Sequence, residues 1–529
     1  MPLWQQQQAW GMFMTLAGRS RVRGMRSPFL DLKNPAALFW AFVLCHGIVW
    51  TLTPAISLPN GFLDTMEMLS WGSQWQWGYE KHPPLPAWIA ETFSQMTGEA
   101  LWGVYLAGQL VILACFWAVW RFARDFVSRE YAVLSVLLLE GVSYYSYETP
   151  RFNHNLVQMA LWALTVLCLW RSLSSGRIGY WLLCGVMVGL GLLSKYDMML
   201  LLVPFLVLML RNTQARKHFA KPGPYIAAAI ATVIVAPHVY WLFNNDFTTI
   251  TYALARATSG RGTGPFLDHI VHPFIFAFGQ ALVLVPVFIM VGMLVSRTVL
   301  RKAEVADRGL AREFLFTATL GPFLAYLAVS AITGFSLTLR WGMPLWSFVG
   351  VFILYHLRPA LTDAALRRFR YVFVGFAALW VIAFVGKLAL VPALTGHVTR
   401  GLFPGQAIAD YVTAQWVRRY GTPLPIVGGD KWLAENIGFY SPDRPDVYAD
   451  LDPRKSPWTN DEEFKRRGGI IIWDVGKAGG ALPVLWRTRF PGALVQPGAH
   501  FRWQTSAAVP LVRVGWAFIA KASSPSRPQ

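Results

Sequence analysis

Alternation between long apolar runs and short polar breaks divides the chain into a large greasy part and a small mixed part. A membrane-spanning helix needs about 20 mostly apolar residues. Runs near that length fall at roughly 35–56, 101–121, 131–147, 155–171, 178–193, 198–211, 224–243, 273–296, 314–333, 342–357 and 371–392. The pattern predicts an α-helical polytopic membrane protein with about eleven spans. After about residue 393 the runs shorten. Helices are expected over Gln406–Tyr420, Lys431–Tyr440 and Leu482–Arg489, with strands over Pro425–Gly428 and Gly469–Trp473. This alternation predicts a small α/β domain over 396–529, after a membrane domain over 35–395 and an N-terminal tail over 1–34.

Composition agrees with the pattern: 55% of the 529 residues are hydrophobic and only 14% charged, where a soluble protein would carry about a quarter charged residues. The net charge of +19 does not point to nucleic acid, because the basic residues occupy short loops between apolar runs instead of lining one face. Cationic loops are retained on the cytoplasmic side of a membrane. With a cytoplasmic N-terminus, the inside loops hold Arg121, Arg124 and Arg129; Arg211, Arg216, Lys217 and Lys221; Arg297, Arg301 and Lys302; and Arg358, Arg367 and Arg368. The outside loops hold only Lys81, Arg151, Lys195, Arg256, Arg261 and Arg340. The C-terminal domain is then expected outside. The four cysteines all lie in apolar runs, with no CxxC spacing, which indicates neither a thiolate metal site nor a disulfide framework.

That orientation collects the unusual polar stretches on one face. The external loops are 57–100, 147–155 and 244–272, joined by Ser194-Lys195-Tyr196-Asp197 and Thr338-Leu339-Arg340-Trp341. Ionisable groups at membrane depth are costly, and their convergence predicts a site built from several loops on a helical scaffold. The first loop is the richest. It runs from Asp64 through Glu67 and Trp71 to Gly78-Tyr79-Glu80-Lys81-His82-Pro83-Pro84-Leu85-Pro86, a stiff turn in which the prolines cannot continue a helix.

Asp64 and Glu67, three apart, would share a helix face as candidate catalytic carboxylates, with Asp64 as general base or as a charge positioning the nucleophile. Their bland alternative is capping or solvent exposure. Lys81, Arg151, Arg256, Arg261 and Arg340 are candidate phosphate partners, against snorkelling or helix-end charges. Trp71, Tyr79, His82, Asn153, Asn155, Lys195 and Tyr196 are candidate pocket residues, the asparagines having helix capping as their alternative. Glu80 and His82, with a distant His154, His269 or His272, offer oxygen and imidazole ligands for Mg, Mn or Zn, although no two show a known metal spacing. Glu80 and His269 are the candidate pair.

At these residues the sequence resembles the integral-membrane glycosyltransferases of the GT-C class, above all glycosyltransferase family 39 in the broad sense. That family takes in protein O-mannosyltransferases and bacterial enzymes that add aminoarabinose or galacturonic acid to lipid A. The resemblance covers about residues 35–395. It rests on an acid after the first helix, the GY-x-K-x-PPL-x-x-W turn, a short second external loop and the Ser-Lys-Tyr break. It implies an inverting transfer of sugar from a polyprenyl phosphate on the external side of a bacterial inner membrane. Asp64 would be the acid-base residue, Lys81 the contact to the donor phosphate and Glu80 a metal ligand. Two departures stand out: Thr65 follows Asp64 where relatives often have a second acid, and His82 separates Glu80-Lys81 from the prolines. The expected partners are a polyprenyl-phosphate sugar, a membrane lipid or glycan acceptor such as lipid A, and the bilayer, with no nucleic acid. The rival from another class is a transporter or flippase of a lipid-linked substrate, which would show polar residues through the spans and a repeat between halves.

Overall fold

A computed structural model describes residues 32–258, 262, 264, 266–295 and 309–521. Most of the expected tail over 1–34, the tail end over 522–529 and Arg261 lie outside the described residues. Among those described, seven helices are long and apolar enough to cross a membrane: Pro35–Ser57, Leu101–Ala123, His154–Ser175, Gly223–Asn244, Asp268–Leu294, Gly309–Thr333 and Asp363–Thr395. A bent pair, Met198–Arg211 with Thr213–Ala220, would make eight, and Ile178–Ser194 is a shorter apolar helix. The chain is a multi-pass membrane protein.

The expected eleven spans are corrected at two places. The run at 131–147 folds as a nine-residue helix, Arg129–Leu137, followed by 3-10 turns at Leu138–Gly141 and Ser143–Tyr145. The run at 342–357 begins as turns and becomes helical only over Val349–Leu357. Hydropathy counts apolar residues but does not register that both segments are buried inside the bundle. Irregular backbone at membrane depth is tolerated where protein satisfies its polar groups. Here the His46 ring bridges the Glu140 carboxylate and the Tyr145 carbonyl, each at 2.9 Å, while the Trp380 indole donates to the Glu140 carbonyl at 2.8 Å. Gln280 does the same for the second break: its amide donates to the Leu339 carbonyl at 2.8 Å and its oxygen accepts from the Trp346 indole at 2.8 Å.

The C-terminal residues form a six-stranded sheet in the order β2-β1-β3-β6-β4, with β5 also on β6. Its strands are β1 (Ile426–Gly429), β2 (Asp446–Ala449), β3 (Gly469–Asp474), β4 (Leu494–Val495), β5 (Ala499–Phe501) and β6 (Val512–Ile519). β1 runs parallel to β2 and β3, with Val427 opposite Val447 and Ile470, while β6 is antiparallel to β3. Strand β1 leads directly into the Lys431–Tyr440 helix, whose first turn is capped by the Asp430 carboxylate accepting from Leu433 N at 3.2 Å. This helix packs against the Leu63–Gly72 helix of the first polar loop. The Arg444 guanidinium grips both oxygens of buried Glu91, at 2.7 and 3.0 Å, and Gln74 donates to Asp446 at 2.9 Å. The sheet is therefore seated on the membrane part by specific polar contacts.

Because Gln280 satisfies two buried groups at once, Gln280→Leu is expected to lower unfolding stability by about 1–3 kcal/mol. A thermal melt of the detergent-solubilised protein reads this as a fall in Tm; an unchanged Tm would show that the break is held by other contacts.

Candidate active site

The first loop builds its site on a pair of helices, Leu63–Gly72 and Leu85–Met96, packed closely enough that Gly72 lies directly against the Ala87 backbone, where a Cβ would collide. Between them the chain makes the proline turn. Tyr79 is fully buried and stacks on Trp71, with centroids 5.1 Å apart and planes 8° from parallel. Its backbone N–H donates to the His82 carbonyl at 3.1 Å, and its own carbonyl accepts from Thr249 Oγ1 at 2.7 Å. Trp71 and Tyr79 are thus corrected from pocket residues to the buried base of the turn. Their large apolar faces hold the segment that presents Lys81 and His82.

Above this base lies a cavity of about 340 Å³. Asp64, Glu67, Lys81 and His82 line it from the first loop, His154 and Asn155 from the second, and Lys195, Tyr196 and Asp197 from the third break. Tyr252 and Arg256 enter from the Thr248–Thr258 helix, and Thr338, Arg340 and Trp341 from the last stretch. All five polar stretches picked out in the sequence reach one hollow. Asn153 does not line it: its side chain caps the His154–Ser175 helix, accepting from Asn155 N at 2.8 Å. Arg151 also sits aside, over the Phe62 ring and 2.6 Å from Glu148, whose same oxygen is 3.2 Å from Arg340 Nε.

Charge on the cavity wall is closely paired. Lys195 Nζ contacts Asp197 at 2.6 Å and Asn155 at 2.9 Å, lies 5.1 Å from the Trp341 ring centre, and shares Asp197 with the Tyr326 hydroxyl at 2.6 Å. Tyr196 donates to or accepts from His238 at 2.6 Å. Lys81 donates to Glu67 at 2.6 Å. Glu67 also accepts from Lys431, which arrives from the C-terminal helix, and both ammonium groups hold its carboxyl below the usual carboxylate range despite burial. Asp64 behaves oppositely. Burial, and next the Glu67 charge, push its carboxyl above the ordinary range, with Arg340, Lys81 and Arg151 opposing. One carboxylate is kept ionised and its neighbour is made more basic, the arrangement by which a site divides acid and base roles. The His82 and His154 rings lie 3.6 Å apart, tilted by 34°, and burial pushes His82 down to about 3, so it faces the cavity as a neutral imidazole.

The expected metal pair does not assemble. Glu80 Oε2 faces the Lys431 ammonium at 3.8 Å, while His269 Nδ1 bonds the Ala331 carbonyl at 2.7 Å. Among the described residues no group of three or more His, Cys, Asp or Glu side chains could hold a metal ion. The side chains near Glu80 therefore do not fit a metal centre.

Lys431 and Tyr326 were not singled out from the sequence. Tyr326 had a weak signal, a phenol inside an apolar run. Lys431 had none, since it stands 364 residues from its partner Glu67.

The chain is similar to several known proteins. The family model for dolichyl-phosphate-mannose-protein mannosyltransferases matches residues 81–241. The lipopolysaccharide core galacturonosyltransferase RgtA of Rhizobium johnstonii is 24% identical, over 88% of this chain and 93% of that protein. RgtB of the same organism is 26% identical, over 85% and 90%. Among solved structures, ArnT from Cupriavidus metallidurans bound to undecaprenyl phosphate matches with a TM-score of 0.61 at 14% identity, across 94% of this chain and 100% of that one.

If Asp64 removes a proton during turnover, activity rises with pH as its carboxyl ionises. Glu67→Gln removes a like charge and is expected to move this acid limb to lower pH. A kcat/KM profile of both forms checks the sign; a limb that stays in place or moves up would separate Asp64 from the titration.

Proposed function

We infer that this protein, a membrane glycosyltransferase of the GT-C class, draws its sugar from a polyprenyl phosphate and delivers it, with inversion, to lipid A or the lipopolysaccharide core. The observation that carries the reading is the shared cavity: Asp64 and Lys81, from neighbouring parts of one loop, line the same hollow with Lys195, Arg256 and Arg340. The four cationic side chains on its wall, Lys81, Lys195, Arg256 and Arg340, suit a phosphate, and the basic carboxylate suits a hydroxyl acceptor. In the proposed reaction Asp64 takes the proton of the acceptor hydroxyl as its oxygen bonds to C1. The bond from C1 to the phosphate oxygen breaks with its electron pair leaving on phosphate. Lys81, with Arg256 and Arg340, offsets the charge that develops there. His82 and Asn155 offer neutral hydrogen-bonding groups to the sugar. No step passes through a metal.

The resemblance to ArnT and to RgtA and RgtB supports the donor class and the acceptor class respectively. The excess of basic residues in the loops opposite the cavity supports a bacterial inner-membrane protein with the N-terminus in the cytoplasm and the cavity and C-terminal sheet in the periplasm. A transporter is disfavoured by the gathering of polar residues in one hollow and by the transferase relatives.

Purified protein supplied with a radiolabelled polyprenyl-phosphate uronic acid and lipopolysaccharide core tests the reading. Asp64→Asn is expected to lower turnover by about 10²–10⁴-fold, the usual contribution of a general base. Wild-type turnover in that variant would remove Asp64 from the reaction.

A further inference from the structure

Directly behind the cavity wall, two parts of the chain meet in a cluster of five ionisable side chains. Glu67 and Glu80 come from the first loop with Lys81, and Lys431 and Glu435 come from the first turns of the helix that follows β1. The Lys431 ammonium bonds Glu67 Oε1 and stands 3.7 Å from Glu435 and 3.8 Å from Glu80, over the Trp71 ring at 5.5 Å. Glu435 is 1% exposed, and one oxygen of each of Glu80 and Glu435 has no hydrogen-bond partner. Three carboxyl groups thus surround one ammonium, at the place where the sequence suggested a metal ligand.

The sharing of Glu67 decides what this ammonium does. Lys81 and Lys431 both bond the same oxygen of a side chain that is 6% exposed. A phosphate entering the cavity must compete with Glu67 for Lys81. If Lys81 were the sole partner, its departure would leave a buried carboxylate unpaired beside Asp64 and facing the incoming anion, which is strongly unfavourable. Lys431 removes that obstacle because it approaches Glu67 from behind, on a separate element.

We propose that Lys431 is a tethered counter-cation, supplied by the C-terminal domain, that keeps Glu67 paired so that Lys81 is released to the donor phosphate. It is a positioning residue and touches no substrate. Its location is fixed independently of the cavity: its backbone N–H donates to Asp450 at 3.1 Å, and the Arg444–Glu91 grip anchors the domain nearby. The C-terminal domain is then a working part of the donor site and not a detachable cover. The inference rests on the polyprenyl-phosphate reading above.

Undecaprenyl phosphate titrated into the full-length protein in nanodiscs, followed by isothermal calorimetry, tests it. Lys431→Met is expected to weaken binding about tenfold, and Lys431→Arg to restore most of the loss. In a Glu67→Gln background the same removal of Lys431 is expected to change Kd by less than about threefold, since the carboxylate that Lys81 and Lys431 share is gone; coupling of this kind marks neighbours that act as a unit. Should Lys431→Met fail to fold, Lys431→Gln carries the same comparison. Binding by Lys431→Met equal to wild type, or an equal loss with and without Glu67, overturns the proposal while leaving the donor reading intact. Absence of binding by the wild-type chain overturns the donor reading and the proposal with it.

Discussion

A carboxylate buried at a membrane surface can stay ionised only if cations meet it, and the Glu67 pairing is the constraint on which the rest of the site depends. It draws Lys81 to the cavity wall and ties the first loop to the C-terminal helix through Lys431. It also places a permanent negative charge beside Asp64, where burial already raises the carboxyl's basicity and the Glu67 charge adds to it. The three effects come from one side chain. Removing its charge would loosen the turn, alter Asp64 and weaken the contact between the two parts of the chain.

The scaffold around this pairing is organised to hold irregular backbone in place. Where spans break at 138–147 and 339–348, His46, Trp380 and Gln280 satisfy the freed carbonyls. The second of these breaks ends at the cavity through Arg340 and Trp341, so a structural device and a site element share one segment. The proline turn works alike: Trp71 and Tyr79 supply a rigid apolar base, and the polar side chains ride on it. Aromatic burial gives position and the charged residues give chemistry, a division that sequence composition cannot express.

The membrane class and the convergence of five polar stretches were legible because charge inside or beside an apolar run is conspicuous. The C-terminal alternation was legible for the same reason of contrast: Lys431–Tyr440 forms the helix expected, although β2, the Asp461–Arg467 helix and β6 carried too little pattern to be seen. Span number was overstated because hydropathy does not distinguish a lipid-facing helix from broken backbone buried in the bundle. At the site, residue type was informative and direction was not. Trp71, Tyr79 and Asn153 are beside the cavity in sequence, yet stacking and capping turn them away from it. Glu80 and His269 read as ligands until their partners were known, and Lys431 became visible only when the fold closed the distance between residues 67 and 431.

On the reading proposed above, the phosphate of the lipid carrier binds in the hollow shared by Asp64 and Lys81. A cryo-EM structure of the protein with undecaprenyl phosphate decides the matter. Phosphate density is expected within hydrogen-bonding distance of Lys81 Nζ, with Asp64 facing the space left for the sugar and Glu67 still bonded to Lys431. Phosphate density in any other hollow, with Lys81 still closed on Glu67, would contradict it.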